Sequence, residues 1–466
     1  MLPTLLASVF SIPWKMMQID AALLEPFRQL ALGGPAKKSI LGNYQTFRAL
    51  RAPLPFITSC LALASAAVTA LSTEGWGLRA VGSCDKTISM EGCVPVMQVT
   101  PWVVRAIMAI LVILVLLAIV LAILSCFYKL GVYADPRSIL GVATLAQFPG
   151  VSSIFATVDP TARLKTLKAR TGHIPLHLGT DPVTRDYGIQ RSEQTLLQQD
   201  KANEPETSYL GDATQLGRML VAKLAFIFAC FTIFLIALTT LTIYYLVTSG
   251  NTEFERFMSG EGFGPRFTFA ICGVAVNFGW VYIFQVILRL LPYYAMHPLA
   301  PASKSILQSY SSDHFSAFAS GIRSRNPSLV LVALPVILSE FLPLLLATVP
   351  YSQTTTWMAH LVSSWMAVAV LGFMIVIMLV VIVLLFAKRP THYLNVELLT
   401  KAPLAATLLL VSNSSEFLSM WRGYAPLTGE ERDENVQGKG FMYGLVAVSA
   451  DTGSTYPRIQ VVRGSG

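Results

Sequence analysis

Seven apolar runs constrain this chain more than any other feature of its sequence. They cover residues 2–19, 54–72, 102–128, 219–247, 267–288, 329–348 and 357–387. A helix needs roughly 20 apolar residues to cross about 30 Å of hydrocarbon. Runs of this length in water would leave their apolar faces uncovered, so they predict membrane helices. Composition agrees: 54% of the 466 residues are hydrophobic and 13% are charged, where a soluble domain carries roughly a quarter charged. The first run is the least regular. It contains Lys15 and resembles the apolar region of a signal peptide, although no basic segment precedes it.

The net charge of +8 would point to nucleic acid in a soluble chain, but here Lys and Arg are concentrated in alternate loops. Residues 20–53 carry Arg28, Lys37, Lys38, Arg48 and Arg51, and residues 129–218 carry ten basic side chains, whereas 73–101 carry Arg79 and Lys86 alone. Basic loops stay on the cytoplasmic side. The alternation therefore predicts an N-terminus outside and a C-terminus in the cytosol, in a plasma membrane or endomembrane, and it excludes nucleic acid as the partner the charge serves. Cys84 and Cys93 share an outer loop under this orientation, where a disulfide between them is chemically allowed.

Sliding the chain against itself by 266 residues superposes Trp14 on Trp280, Pro26 on Pro292, and Pro35-Ala-Lys-Lys-Ser-Ile-Leu41 on Pro301-Ala-Ser-Lys-Ser-Ile-Leu307. Between Trp14 and Tyr44 ten of 31 positions are identical, where composition alone gives roughly two, and such self-similarity marks a duplicated unit. The resulting expectation is an all-α polytopic transmembrane helical bundle of about seven spans, with two parallel three-span repeats joined by one span. Its parts are a first repeat at 1–128, a cytosolic and partly disordered loop at 129–218, a linking span at 219–249, a second repeat at 264–387, and a cytosolic tail at 388–466. Transporters share such plans, but fold does not imply function.

After Pro35 the residues Ile40, Leu41, Tyr44, Phe47 and Leu50 fall on one helical face with Lys37, Lys38, Arg48 and Arg51 around it. The second copy offers Ile306, Leu307, Tyr310, Phe318 and Ile322 with Lys304, Arg323 and Arg325. A basic amphipathic helix of this kind lies at the cytosolic interface near anionic lipid, or packs beneath the bundle. The stretch Ser11-Ile-Pro-Trp14 through Leu24-Glu-Pro26-Phe27 to Ser39-Ile-Leu41 and Tyr44, with its second copy from Gly264-Pro-Arg266-Phe267 to Tyr310, resembles the fungal spray-like multi-pass membrane proteins, which carry two copies of one domain of unknown function, family 3433. The resemblance covers most of residues 1–350 and continues faintly into Pro403-Leu-Ala-Ala406. It implies a fungal source, a membrane location and no assigned chemistry. Members are often longer at the N-terminus, a pattern from which a chain starting at its first span departs.

Glu340, near the middle of the sixth run and bracketed by Pro335 and Pro343, is the sharpest single residue. A carboxylate at membrane depth costs a few kcal/mol and faces the protein interior or water. It fits an ion or proton site, or a structural ion pair with Lys15 or Lys223. Lys15, Arg105, Lys223, Arg289 and His360 stand near the ends of runs, where long side chains snorkel to the interface. From Arg163 to Ser208 the chain is polar and aperiodic, which predicts an unrestrained loop. The tail pattern 441–448, 451–453, 459–462 predicts a hairpin. Hydrolase, nucleotide-loop and zinc-protease signatures are missing from the sequence, as are Cys and His groupings suited to a metal. No catalytic residue, cofactor or metal is therefore expected. The leading expectation is a non-enzymatic membrane organiser or regulator, with the lipid bilayer, anionic lipids and cytosolic proteins as partners. The alternative is a secondary transporter or channel using Glu340.

Overall fold

The computed structural model describes residues 2–42, 44, 52–82, 93–127, 130–132, 136–156, 158, 162–180, 186–191, 213–248, 252–258, 264–297, 299–308, 313–350, 357–387, 395–425, 427–449 and 455–463. From the N-terminus, α1 (Leu2–Ala31) leads through a two-residue strand β1 (Gly34–Pro35) to α2 (Pro53–Gly75), the hairpin of β2 (Trp76–Gly82) and β3 (Cys93–Val99), and α3 (Pro101–Cys126). Three short helices follow, α4 (Ile139–Leu145), α5 (Pro149–Ala156) and α6 (Leu164–Thr171), and then the hairpin of β4 (Pro175–Thr180) and β5 (Tyr187–Arg191). The linking helix α7 (Ala213–Val247) and the short α8 (Glu253–Met258) come next. The second half contains α9 (Gly264–Ala295), β6 (Ala300–Pro301), α10 (His314–Arg323), α11 (Pro327–Ala347) and α12 (Trp357–Ala387). It closes with α13 (Val396–Lys401), α14 (Pro403–Ser412), α15 (Ser415–Ser419), α16 (Gly429–Gly438), β7 (Phe441–Ser449) and β8 (Thr455–Arg463).

Among the described residues six helices are long and apolar enough to cross a membrane: α2, α3, α9, α11, and the segments Val221–Val247 and His360–Ala387 of α7 and α12. Proline opens α2, α3 and α11, a position where its missing N–H has no partner to lose. Helix α1 has the length of a span but is less apolar than these six, because Pro13, Lys15 and Gln18 interrupt its run. Lipid, not water, suits the outer helices. In α3 the buried residues are Val103, Leu114 and Leu121, while Met108, Val112, Val115 and Leu116 are each more than half exposed. An apolar surface of that extent is not left open to water.

The helix contacts follow a two-fold pattern. Helices α1 and α2 pack as a pair, as do their counterparts α9 and α11, and the pairs meet through α1 with α11 and α2 with α9. Exchanging the halves maps each of these contacts onto the other. The third helices obey the same rule, since α3 packs on α2 and α12 on α11. Helix α7 stands outside the symmetry and packs on α12 and α9. It covers Trp280, whose ring meets Phe231 edge-on at 6.1 Å. Trp14, at the matching position in the first half, remains half-buried.

The duplication extends beyond the three-helix units. The described residues between 138 and 191, within the stretch expected as a loop, form a folded cap in which Ile139–Leu145 is wholly buried. Residues 395–463 form a second cap of the same order. In each, a capped helix comes first: Ser138 Oγ accepts from Gly141 N at 3.0 Å, and Asn395 Oδ1 accepts from Leu398 N at 3.1 Å. A proline-opened helix, α5 or α14, comes next, and later a hairpin. Each hairpin takes a two-residue strand from the connection after the first helix. Gly34 pairs with Leu176 and Pro35 with Pro175, and Ala300 pairs with Tyr443 and Pro301 with Met442. Gly34 and Ala300 are separated by the same 266 positions that relate the two Trp residues. The predicted tail hairpin is therefore present as β7 and β8, and it has a twin. The caps pack together through α14 against α4 and α5. Gln147 clips them by donating to the Trp421 carbonyl and accepting from Gly423 N at 3.1 Å.

Close packing at the centre depends on glycine. A Cβ on Gly273 of α9 would stand 2.6 Å from Pro343 Cα and 2.7 Å from Pro343 N, against backbone that cannot turn aside. Gly273→Ala is expected to lower stability by about 1–3 kcal/mol, the usual cost of overpacking. Gly372→Ala in α12, with nothing within 4 Å of the added carbon, is expected to leave it level or slightly raised, and thermal unfolding in detergent measures both.

Candidate functional site

At the crossing of α1, α9 and α11 five polar side chains come together in an apolar interior. Lys15 Nζ donates to Glu340 Oε2 at 2.7 Å and to Asn277 Oδ1 at 2.6 Å. Asn277 Nδ2 donates to Ser339 Oγ at 2.9 Å, and Ser339 Oγ donates back to the Val336 carbonyl at 2.7 Å. All four are buried, with side-chain exposures of 8% for Lys15 and 2% for Glu340. The fifth is His314, whose Nε2 stands 4.0 Å from Glu340 Oε1, too far for a direct hydrogen bond.

Local sequence explains each placement. Lys15 lies midway along α1 and is enclosed, so its charge is satisfied inside the bundle. Asp313 caps α10, its carboxylate accepting from Phe315 N at 2.9 Å and Ser316 N at 3.1 Å. The cap fixes where α10 begins and sets His314 in its first turn. Helix α10 runs antiparallel along α11. Gly321 near its end faces Leu329 and Val330, while His314 at its start reaches Glu340 some ten residues further along. At 1.5 Å per residue that is about 15 Å of shared path.

Burial lowers the pKa of His314, and Lys15 lowers it further, while Glu340 and Asp313 pull it the other way. The neutral ring is thus the folded form near pH 7. An unfolded histidine takes up its proton near pH 6.5, so the unfolded state binds more protons below that value and stability falls with pH.

The other residues singled out by sequence separate into three groups. Lys37, Lys38, Lys304, Arg323 and Arg325 are exposed. Arg48, Arg51, Cys84 and Tyr310 lie outside the described residues, and so does the side chain of Cys93, whose backbone pairs with Gly82. Arg105 and Lys223 are exposed, whereas Lys15, Arg289 and His360 are buried and do not snorkel. Arg289 is 7% exposed and donates to the Thr400 carbonyl at 2.8 Å, and His360 Nδ1 lies 3.0 Å from the Thr348 carbonyl.

The amphipathic helix expected after Pro35 does not form over residues 36–41, which are turns. Ala36 N donates to the Ile174 carbonyl at 2.8 Å and Lys37 N to the Gly172 carbonyl at 3.0 Å, so the donors of a first helical turn are spent on the cap. Ile40 and Leu41 are fully buried, as are Ala302 and Ile306 in the second copy. Of that apolar face, Ile40 and Leu41 pack against protein, Phe47 and Leu50 lie outside the described residues, and in the second copy Ile322 is exposed. Sequence reasoning missed Asn277, Ser339 and His314 as neighbours of Glu340. An amide within an apolar run was the available signal for Asn277.

Fold and site together define a multi-pass helical membrane protein built from two repeats that an ion pair joins, from the first helix of one repeat to the second helix of the other. The family described as "Protein of unknown function (DUF3433)" matches residues 1–76 and 263–351. The chain thus carries two copies of that domain, and Lys15, Asn277, His314, Ser339 and Glu340 all fall within the matched segments. No curated protein and no solved structure matches the chain.

Breaking one partner of a buried pair leaves an uncompensated charge and costs about 3–5 kcal/mol. Lys15→Met is expected to lower the unfolding midpoint in detergent steeply, and Lys15→Met with Glu340→Gln to recover more than half of the loss. In a separate scan from pH 7 to pH 5, the native chain is expected to lose stability relative to His314→Gln, the midpoint difference between the two shifting against the native chain as pH falls.

Proposed function

We propose that the chain is a non-enzymatic membrane organiser or regulator that acts through cytosolic elements, with α1 as a seventh span and both caps facing the cytosol. One observation carries this reading. Both halves place their folded mass outside the helices into caps that fuse through α14, α4 and α5, while at the centre Lys15, Asn277, Ser339 and one oxygen of Glu340 are bonded to one another. Lys15 joins the two repeats by bonding α9 and α11 at once, as a clasp does. The caps then form a rigid platform at one membrane face. Such a platform suits holding partners at the membrane better than moving solutes through it. Charge alternation supports the orientation: basic side chains crowd the cap-bearing connections and are sparse on the other side.

A transport reading rests on one specific feature, the facing but unbonded Glu340 Oε1 and His314 Nε2 at 4.0 Å. Proteoliposomes separate the two. The organiser reading expects no proton or alkali-cation flux above that of empty vesicles, with or without Glu340→Gln. Flux that the native chain supports and Glu340→Gln abolishes would establish transport. The orientation has its own check in the sequon Asn413-Ser-Ser415 at the end of α14. Expressed in cells, the chain is expected to carry no glycan on Asn413, and a glycosidase-sensitive mass there reverses the topology.

A further inference from the structure

A narrow cleft of about 70 Å³, open to solvent, lies where the end of α1, the last turns of α9 and both caps converge. It sits on the two-fold relation itself. Leu23 and Arg289, 266 positions apart, both line it, and so do the similarly related Phe27 and Tyr293. Val142 and Leu399, each four residues past its helix-capping side chain, line it as a third matched pair.

The matched positions have diverged in one direction. The first repeat contributes apolar surface from α1, Leu23, Pro26 and Phe27, whereas the second places Arg289 and the Tyr293 hydroxyl opposite. Arg137 and Lys401 add two further cations from the caps, and no Asp or Glu is among the described lining residues. Each cation is oriented by a neighbour outside the wall: Arg137 by Asp20 at 3.1 Å, Lys401 by Glu397 at 2.8 Å, and Arg289 by the Thr400 carbonyl at 2.8 Å. Glu25, the remaining acid close by, is fully buried and bonded to Arg28 and Gln29 at 2.9 and 2.6 Å. Tyr44 closes one side. Burial holds its hydroxyl well above the usual phenol pKa, and it stays a neutral donor, directed to the Lys38 carbonyl.

Two guanidiniums and an ammonium facing one apolar wall suit a multivalent oxyanion carried on a hydrocarbon group. Arginine forks match phosphate oxygens in pairs, and lysine adds a point charge. The apolar wall belongs to the ends of membrane helices, so the tail would lie toward the bilayer and the anion toward the caps. We infer that this cleft binds a phosphate group borne by an amphiphile, of the kind presented by a phosphomonoester lipid headgroup. The site is independent of whether the chain organises partners or moves ions, because Glu340 takes no part in it.

The test uses the full chain purified in detergent and three probes: dioctanoyl phosphatidic acid, the dioctanoylglycerol that lacks its phosphate, and inorganic phosphate. Titration calorimetry is expected to show saturable binding of the phosphatidic acid, at least tenfold tighter than either other probe. Arg137→Gln and Lys401→Gln, both on partly exposed side chains, are each expected to weaken it about tenfold. Arg289→Leu, which restores the residue type of the first repeat, is expected to do the same, and Arg323→Gln, outside the cleft, is expected to leave it unchanged. Equal binding of the glycerol probe, or binding indifferent to the Arg137 and Lys401 substitutions, overturns the site. Inorganic phosphate binding as tightly as the lipid overturns the amphiphile and assigns the cleft to free phosphate.

Discussion

An apolar interior offers nothing to solvate a charge, so a lysine enclosed midway along a helix must find a partner there or remain outside. Here Lys15 finds both a carboxylate and an amide carbonyl in the other repeat. That requirement decides much else. It draws α1 onto α11, which by the two-fold relation sets α9 against α2, and it leaves Glu340 neutralised between prolines that loosen α11 around it. Packing of α1 on α11 and of α2 on α9 joins the two weakly similar halves, and the pair at its centre fixes their register.

The membrane-crossing helices were legible in the sequence because each apolar run carries its own signal, independent of the rest of the fold. The duplication was legible from Trp14 to Tyr44, where identity is dense, and lost beyond it. Residues 138–191 and 395–463 share an order of elements but little sequence, and helices of five to ten residues leave too short a period to read. The aperiodic polarity after Arg163 suggested an unrestrained loop, yet β4 and β5 pair there across five residues each. Strand pairing is a property of two segments, and neither segment announces it alone. The amphipathic periodicity after Pro35 failed for a related reason: the covering surface is the cap, supplied some 135 residues later in the chain.

At the site, Glu340 was recognisable as a charge in an apolar run. Its partners were not, since Lys15 lies 325 positions away and stood beside Lys223 as an equal choice by sequence. Burial separates the two, with Lys223 exposed and Lys15 enclosed. The linking helix α7 shows how a duplicated fold becomes asymmetric. By covering Trp280 and leaving its twin Trp14 half-open, it gives two matched residues different surroundings within one shared architecture.

The two-residue strands have a mechanical meaning. Gly34–Pro35 and Ala300–Pro301 are the short tethers by which each hairpin is stitched to the foot of a central helix, only three residues past the end of α1 in the first half. A tether that short has almost no slack, so a sideways load on either hairpin is delivered to α1 or α9 as torque. The same two helices meet at Lys15 and Asn277. Each hairpin is thus coupled through its tether to a helix that carries one member of the Lys15–Asn277 contact.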